Sequence, residues 1–101
     1  MNFGFHPKAD GDLDEAVKYY EERQCGLGLA FAEEVYQAIR RACEYPDAWP
    51  KVSCNARRCL LNRFPYSVIF QVKADKFRVI AIANQHRHPD YWQNRNVKES
   101  V

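Results

Sequence analysis

Hydrophobic residues in the first half of the chain recur at the spacing of α-helices. Four of them lie at i, i+3, i+4 and i+7 and therefore share one helical face: Leu13, Ala16, Val17 and Tyr20. This helix is predicted to begin at Pro7, directly after a short strand over Asn2–His6, or at a capping box that starts at Asp12. Gly26 is predicted to end it.

A second helix is predicted to begin near Leu27 and to end before Pro46. Its apolar positions also repeat at helical spacing: Leu27, Phe31, Val35, Ala38, Ile39 and Ala42. Residues Glu44–Lys51 contain two prolines and are predicted to form a loop. Two helices joined by a short glycine-containing turn form an antiparallel hairpin, and the exposed face of this hairpin is acidic.

The hydrophobic period changes from helical to alternating in the second half of the chain. Strands are predicted over Arg57–Asn62, Tyr66–Lys73 and Phe77–Asn84. A turn through Ala74 and Asp75 joins the last two. Phe77–Asn84 is apolar on both faces, which indicates an interior position in the sheet.

This order of elements predicts one α+β domain over residues 1–101. The expected architecture is an N-terminal strand and an antiparallel helical hairpin packed on a twisted, mainly antiparallel β-sheet, whose other face is at least partly open. A chain of 101 residues, 47% hydrophobic, fills one modest core and excludes a multidomain enzyme. The longest apolar run, Val79–Ala83, is too short to span a membrane, and no secretory signal is visible, so we expect a cytoplasmic protein without a membrane partner.

Charge is distributed unevenly along the chain. Residues 1–50 carry five Lys/Arg against ten Asp/Glu, a net −5, whereas residues 51–101 carry ten Lys/Arg against three Asp/Glu, a net +7. The second half is therefore predicted to build a positive surface suited to nucleic acid or to an acidic protein. Two solvated faces of opposite sign are the alternative.

The four cysteines contain no C-x-x-C pair, and Cys43 lies in the apolar register of the second helix. Free, buried thiols are therefore expected at Cys25, Cys43, Cys54 and Cys59 rather than disulfides. The histidines lack ligand spacing with these cysteines, and neither a metal site nor a cofactor is predicted.

Two basic segments carry the candidate chemistry. The first lies around the strand after residue 56 and contains Arg57, Arg58 and Arg63. The second, NQHRHPDYWQNR, contains His86, Arg87, His88, Tyr91, Trp92 and Arg95. Arginine binds phosphate, imidazole exchanges protons near neutral pH and an aromatic ring stacks on an unpaired base, a combination that suits RNA.

Most of these residues also have a purely structural interpretation, which is harder to give for Arg63 and Arg87 because each flanks a strand end. Tyr91 and Trp92 are at least as compatible with covering the sheet as with stacking on bases. His86 or His88 alone is more typical of a hydrogen-bonded structural histidine. Arg57 and Arg58 are compatible with ordinary exposed strand positions.

The chain resembles the RelE/ParE superfamily of bacterial toxins. The resemblance runs through HPKADGDLDEAVKYYEERQCGLGLAFAEEV and RRCLLNRFPYSVIFQV to RVIAIANQHRHPDYWQNR. RFPYSVIF at Arg63–Phe70 and the Arg-His-Pro-x-Tyr-Trp ending at Arg87–Trp92 are its most specific parts. It implies a plasmid-stabilisation type of toxin, held in a hetero-oligomer by an antitoxin encoded beside it.

The superfamily implies two different targets. RelE-like members cut messenger RNA in the ribosome, whereas ParE-like members inhibit DNA gyrase. For RNA cleavage the chain offers Arg58, Arg63 and Arg87 for charge stabilisation, and His88 or Tyr91 for proton transfer. Tyr91 matches the tyrosine near the end of RelE-like toxins. Further target contacts are expected from Arg57, His86, Trp92 and Arg95.

The general base of RelE-like nucleases has no counterpart in the motif. Those enzymes use a lysine-rich strand region or a glutamate, whereas this chain offers only Lys51 before Arg57, with Glu44 further back. Gyrase inhibition needs only a complementary surface, and the YYEERQCGLG hairpin is closer to ParE-like members. ParE-like action is therefore preferred, with a ribosome-dependent messenger RNA endonuclease as the alternative and a non-toxic basic binding module as the second alternative.

The antitoxin is expected to fill exposed apolar surface on the helical hairpin. The candidate residues for this contact are Tyr19, Tyr20, Phe31 and Tyr36. The target is expected to meet an electropositive concave surface assembled by the later strands and the closing segment.

Overall fold

The computed structural model describes residues 3–87, 90–93 and 95, which form two layers. The elements, in chain order, are β1 (Phe3–Phe5), α1 (Pro7–Arg23), α2 (Leu27–Glu44), β2 (Lys51–Ser53), β3 (Ala56–Leu60), β4 (Tyr66–Lys73), β5 (Lys76–Asn84) and α3 (Asp90–Gln93). A single 3-10 turn, Pro46–Ala48, interrupts the loop after α2. The predicted α+β architecture is confirmed.

The first helix begins at the earlier of its two predicted starts. Nδ1 of His6 accepts a hydrogen bond from the backbone N–H of Lys8 at 3.1 Å, and Pro7 occupies the first helical position. Gly26 does not end α1, which stops at Arg23. It lies directly before α2 with φ 87°, a left-handed conformation that favours glycine.

The strands form one five-stranded sheet in the order β1-β5-β4-β3-β2. β1 pairs with β5 in parallel and all other pairs are antiparallel. The three-residue strand β2 lies at the end of the predicted loop and was not predicted, because its length is too short for an alternating pattern to show. The strand predicted over Arg57–Asn62 is shifted by one residue at its start and ends two residues early.

The main core lies between the two long helices and one face of the sheet, which we call the inner face. Phe31 and Val35 of α2 and Phe70 and Val79 of the sheet are completely buried there. The alternation predicted for Tyr66–Lys73 is confirmed, since Val68 and Phe70 point into this core.

The opposite, outer face of the sheet is partly covered. Trp92 of α3 is only 3% exposed and packs with a small apolar cluster: Ala56, Ile69, Ile80, Ala81 and Ala83. A register shift in the pairing of β4 with β5 lies between Ile69 and Phe70, opposite Val79 and Ala81. This bulge lets the consecutive residues Ile80 and Ala81 both join the outer cluster.

All four cysteines are free, but the expectation that they are buried is wrong for two of them. Cys25 and Cys54 are exposed, Cys43 is half-buried and Cys59 is buried. Burial raises the pKa of the Cys59 thiol. Within the described part of the chain, no group of three or more His, Cys, Asp and Glu side chains is placed to hold a metal ion, and no helix is long and apolar enough to cross a membrane.

Candidate functional site

An open groove of about 520 Å³ lies between α1, the start of β4 and the end of β5. The wall formed by α1 carries two carboxylates, Asp12 and Glu15, and two phenols, Tyr19 and Tyr20. The helical spacing of these residues places all four on the side of α1 that faces the sheet end. One wall of the groove is therefore both acidic and aromatic.

The facing wall comes from the sheet and from the segment that follows it. Tyr66, His86 and Arg87 line this wall. Burial raises the pKa of Tyr66, and the neighbouring Tyr19, Glu15 and Asp12 charges add to this effect against an opposing hydrogen bond with Asn84. The Tyr66 hydroxyl is therefore a weaker acid than an ordinary phenol.

The segment after β5 turns sharply at Asn84. Its side-chain Oδ1 accepts the backbone N–H of His86 at 2.8 Å, and its carbonyl accepts the N–H of Arg87 at 3.1 Å. These bonds direct His86 and Arg87 to the groove. His88 and the Tyr91 side chain lie outside the described residues, so their predicted roles stay predictions.

Arg95 has a structural role in place of the predicted target contact. Its Nη1 donates to Asp12 Oδ2 at 2.7 Å and to the carbonyl of Ile80 at 2.9 Å, and the side chain is only 8% exposed. Asp12 Oδ2 also accepts the backbone N–H of Ile82 at 3.1 Å. β1 stops pairing with β5 at Val79, so backbone groups of β5 beyond Val79 are no longer paired by β1. Arg95 and Asp12 bind two of these groups, the carbonyl of Ile80 and the N–H of Ile82.

Arg63 lies in the loop between β3 and β4, held there by a buried carboxylate of α2. Glu34 accepts the backbone N–H groups of Asn62 and, at 3.0 Å, of Arg63. The Arg63 guanidinium lies over the Phe64 ring, 5.4 Å from its centroid. Sequence reasoning missed Glu34, although its position three residues after Phe31, within the apolar helical register, was the available signal.

Arg57 and Arg58 lie on opposite faces of the sheet, as consecutive strand residues must. Arg57 Nη1 donates to the carbonyl of Trp49 at 2.6 Å, next to Asp47. Arg58 is exposed on the outer face, where it pairs with Ile69. The predicted single concave surface of guanidinium groups is therefore wrong, since Arg57, Arg58, Arg63 and the buried Arg95 occupy different surroundings.

The outer face carries basic residues that sequence reasoning missed. Lys73 pairs with Lys76, and Arg78 pairs with Gln71, so all three share the outer face with Arg58. The pairing register of β4 and β5 across the turn at Ala74 and Asp75 was the signal that places Lys73 and Arg78 on one face.

Trp92 and Phe31, both candidates for contacts with other molecules, are buried. Trp92 covers the outer sheet face, which confirms the structural interpretation and removes it as a base-stacking group. Phe31 is 0% exposed and half-buried Tyr20 stacks on it with ring centroids 5.2 Å apart, so Phe31 is a core residue and not a contact surface. Tyr19 and Tyr36 are 47% and 38% exposed.

Tyr36 belongs to an exposed aromatic patch formed by α2 and the edge strand β1. Its ring lies 6.2 Å from the rings of both Phe3 and Phe5. Phe3 is 43% exposed. We refer to Phe3, Phe5 and Tyr36 as the aromatic patch.

Three comparisons with known proteins bear on the fold and on the family. Among solved structures, a chain from the chromosomal ParDE toxin–antitoxin system of P. aeruginosa has the same fold, with a TM-score of 0.71 at 21% sequence identity. The match covers 83% of this chain and 95% of that one. A search of curated protein sequences returned no match. The family model of the ParE toxin of the parDE type II toxin–antitoxin system matches residues 4–89, and the chain therefore belongs to the ParE toxin family.

Proposed function

We propose that this toxin arrests bacterial growth by inhibiting DNA gyrase and that a cognate antitoxin neutralises it by direct binding. The observation that carries the choice of target is that the three candidate arginines lie on three different parts of the fold. Arg58 lies on the outer face, Arg63 in the loop that Glu34 holds, and Arg87 in the groove beside α1. Stabilising one pentavalent phosphate needs such groups to converge on the same few oxygen atoms, whereas inhibition by binding needs only a complementary surface.

The charge of the two layers also supports a binding mechanism. The helices α1 and α2 together carry nine Asp/Glu and five Lys/Arg, whereas β3, β4 and β5 carry five Lys/Arg and no Asp/Glu. Such a separation steers association with a partner of complementary charge.

One observation favours the alternative, a ribosome-dependent messenger RNA endonuclease. The groove brings His86 and Arg87 together with Tyr66, and these groups supply a proton-transfer residue, a phosphate ligand and a hydrogen-bond donor. The nuclease would then act through the groove and not through the outer face.

Induction of the toxin in a bacterial host, with and without its antitoxin, tests the proposal. Under the proposed function, DNA breaks accumulate while translated messages stay intact, and the purified toxin inhibits supercoiling by purified gyrase. Rapid message cleavage with intact DNA contradicts it and supports the nuclease, in which case Arg87→Ala abolishes cleavage. Unaffected growth in every background leaves the non-toxic binding module.

A further inference from the structure

We propose that the outer face of the sheet binds the sugar–phosphate backbone of duplex DNA. The inference deepens the proposed function, since gyrase acts on duplex DNA and a toxin that touches both would bind the enzyme where it holds its substrate. Its basis is the set of basic side chains that the strand register places on one face, which we call the basic face: Arg58, Lys73, Lys76 and Arg78.

Charge and exposure single out this surface. Four of the five basic residues in β3, β4 and β5 belong to the basic face, and Arg57 alone lies on the other side. Arg58, Lys73 and Lys76 are exposed and Arg78 is half-buried. The three strands contain no Asp or Glu, and Asp75 lies in the turn between Lys73 and Lys76. A surface with this balance attracts a polyanion.

The size of the basic face matches a short stretch of duplex. Arg58 pairs with Ile69, and Lys73 lies four residues further along β4. At about 3.4 Å per residue these two rows are about 14 Å apart. Duplex DNA carries about one charge per 1.7 Å of its axis, so about eight phosphates fall within that length. Four cations therefore have enough phosphates within reach.

The aromatic side chains argue for duplex over single-stranded nucleic acid. Proteins that bind single strands stack exposed bases on aromatic rings. In the described part of this face, Trp92 is buried in the apolar cluster with Ile69 and Ile80. The rings of Phe70 and Phe77 lie in the core on the inner face, and the exposed Tyr19 and Tyr36 belong to the helices. Among the described residues the basic face thus offers charge without a stacking surface, a combination that suits contacts to a duplex backbone.

Binding of the full-length toxin to a fluorescent duplex, measured by anisotropy over a series of salt concentrations, tests this inference. Each phosphate contact contributes about −0.9 to the slope of log K against log salt, so wild type should show a slope of about −3 to −4. The triple substitution Arg58→Gln, Lys73→Gln and Lys76→Gln should weaken binding more than tenfold and bring the slope to about −1. Adding Arg78→Gln should remove the remainder.

A control with the same change in net charge as the quadruple variant of the basic face distinguishes an effect of this surface from an effect of overall charge. The helix-layer variant Lys8→Gln, Lys18→Gln, Arg23→Gln and Arg40→Gln alters two lysines and two arginines, all exposed. It should bind duplex with the wild-type slope. Equal weakening by both variants overturns the inference, as does tighter binding of single-stranded DNA or of RNA than of duplex DNA, or no duplex binding at low salt. The last result would point to an acidic protein surface as the partner.

Gyrase inhibition by the same variants is measured separately. Duplex binding that depends on the basic face supports the inference, whether or not wild-type toxin inhibits gyrase. A wild-type toxin that leaves gyrase active contradicts only the proposed function. Circular dichroism shows whether each variant is folded. If Arg78→Gln disturbs the sheet, the triple variant, which keeps Arg78, still tests the inference.

Discussion

At the scale of single residues, Gly28 sets the contact between the two long helices. A Cβ atom at this position would lie 2.7 Å from the carbonyl oxygen of Val17 and 3.0 Å from Glu21 Cβ. Gly28→Ala should therefore destabilise the toxin by about 1–3 kcal/mol, although alanine is the better helix former. Gly11→Ala is the matched control, because no atom of the described residues lies within 4 Å of a Cβ placed there, and it should stabilise by about 0.5–1 kcal/mol. Urea unfolding measures both, and a stabilising Gly28→Ala would contradict the close approach.

Glu21 makes the hairpin turn sensitive to acid. Its carboxylate accepts the backbone N–H of Gly26 at 3.0 Å and that of Gly28 at 3.0 Å, and these bonds lower the pKa of Glu21 below its ordinary value of 4.5. The stabilisation is thus complete above pH 4.5 and is lost as the pH falls through the folded-state pKa. The urea midpoint of wild type should exceed that of Glu21→Gln at neutral pH and converge with it in acid. Glu22→Gln, a like substitution on the same exposed turn of α1, is the matched control, and an equal loss of stability at neutral pH would contradict the role of Glu21.

At the scale of elements, the Asp12–Arg95 pair fastens the end of the described chain to α1 and β5. Both side chains are largely buried, at 16% and 8% exposure, so removing one partner leaves an unpaired charge. Arg95→Gln should destabilise by roughly 3 kcal/mol, and the double variant with Asp12→Asn should cost less than the sum of the two. Asp47→Asn, which removes the exposed partner of Arg57 at 4.0 Å, should cost under about 0.5 kcal/mol. Additive costs at Asp12 and Arg95 would show that the two side chains are not coupled.

Elements whose own residues carry a periodic hydrophobic pattern were predicted correctly from the sequence. Periodicity in α2 and alternation in β4 come from side chains that pack on one face, and both were predicted within a residue. At Trp92 the choice between covering the sheet and stacking on bases depended on where the chain returns after Asn84, and no local pattern encodes that path. The Asp12–Arg95 contact joins residues 83 positions apart, which explains why Arg95 was predicted to be an exposed contact.

At the scale of the whole molecule, the charge asymmetry of the two halves becomes a difference between layers. The acidic first half forms both long helices and the basic second half forms most of the sheet. The predicted positive surface therefore exists in part, but strand alternation sends Arg57 to the inner side and Arg58 to the outer side. The pairing register of the strands, which cannot be read from composition, determines which basic side chains share a surface.

This layering predicts that toxicity and neutralisation can be separated by mutation. We expect the antitoxin to bind the aromatic patch, where exposed rings of Phe3 and Tyr36 offer a large apolar area at low entropic cost. Tyr36→Ala should weaken antitoxin binding at least tenfold while the variant stays toxic, whereas Tyr45→Ala, an exposed tyrosine outside the patch, should change neither. The triple variant of the basic face should show the opposite pattern, with reduced toxicity and full antitoxin binding. Growth assays with titrated antitoxin expression, together with calorimetry of the purified pair, measure both properties, and parallel loss of the two in either variant would contradict separate surfaces.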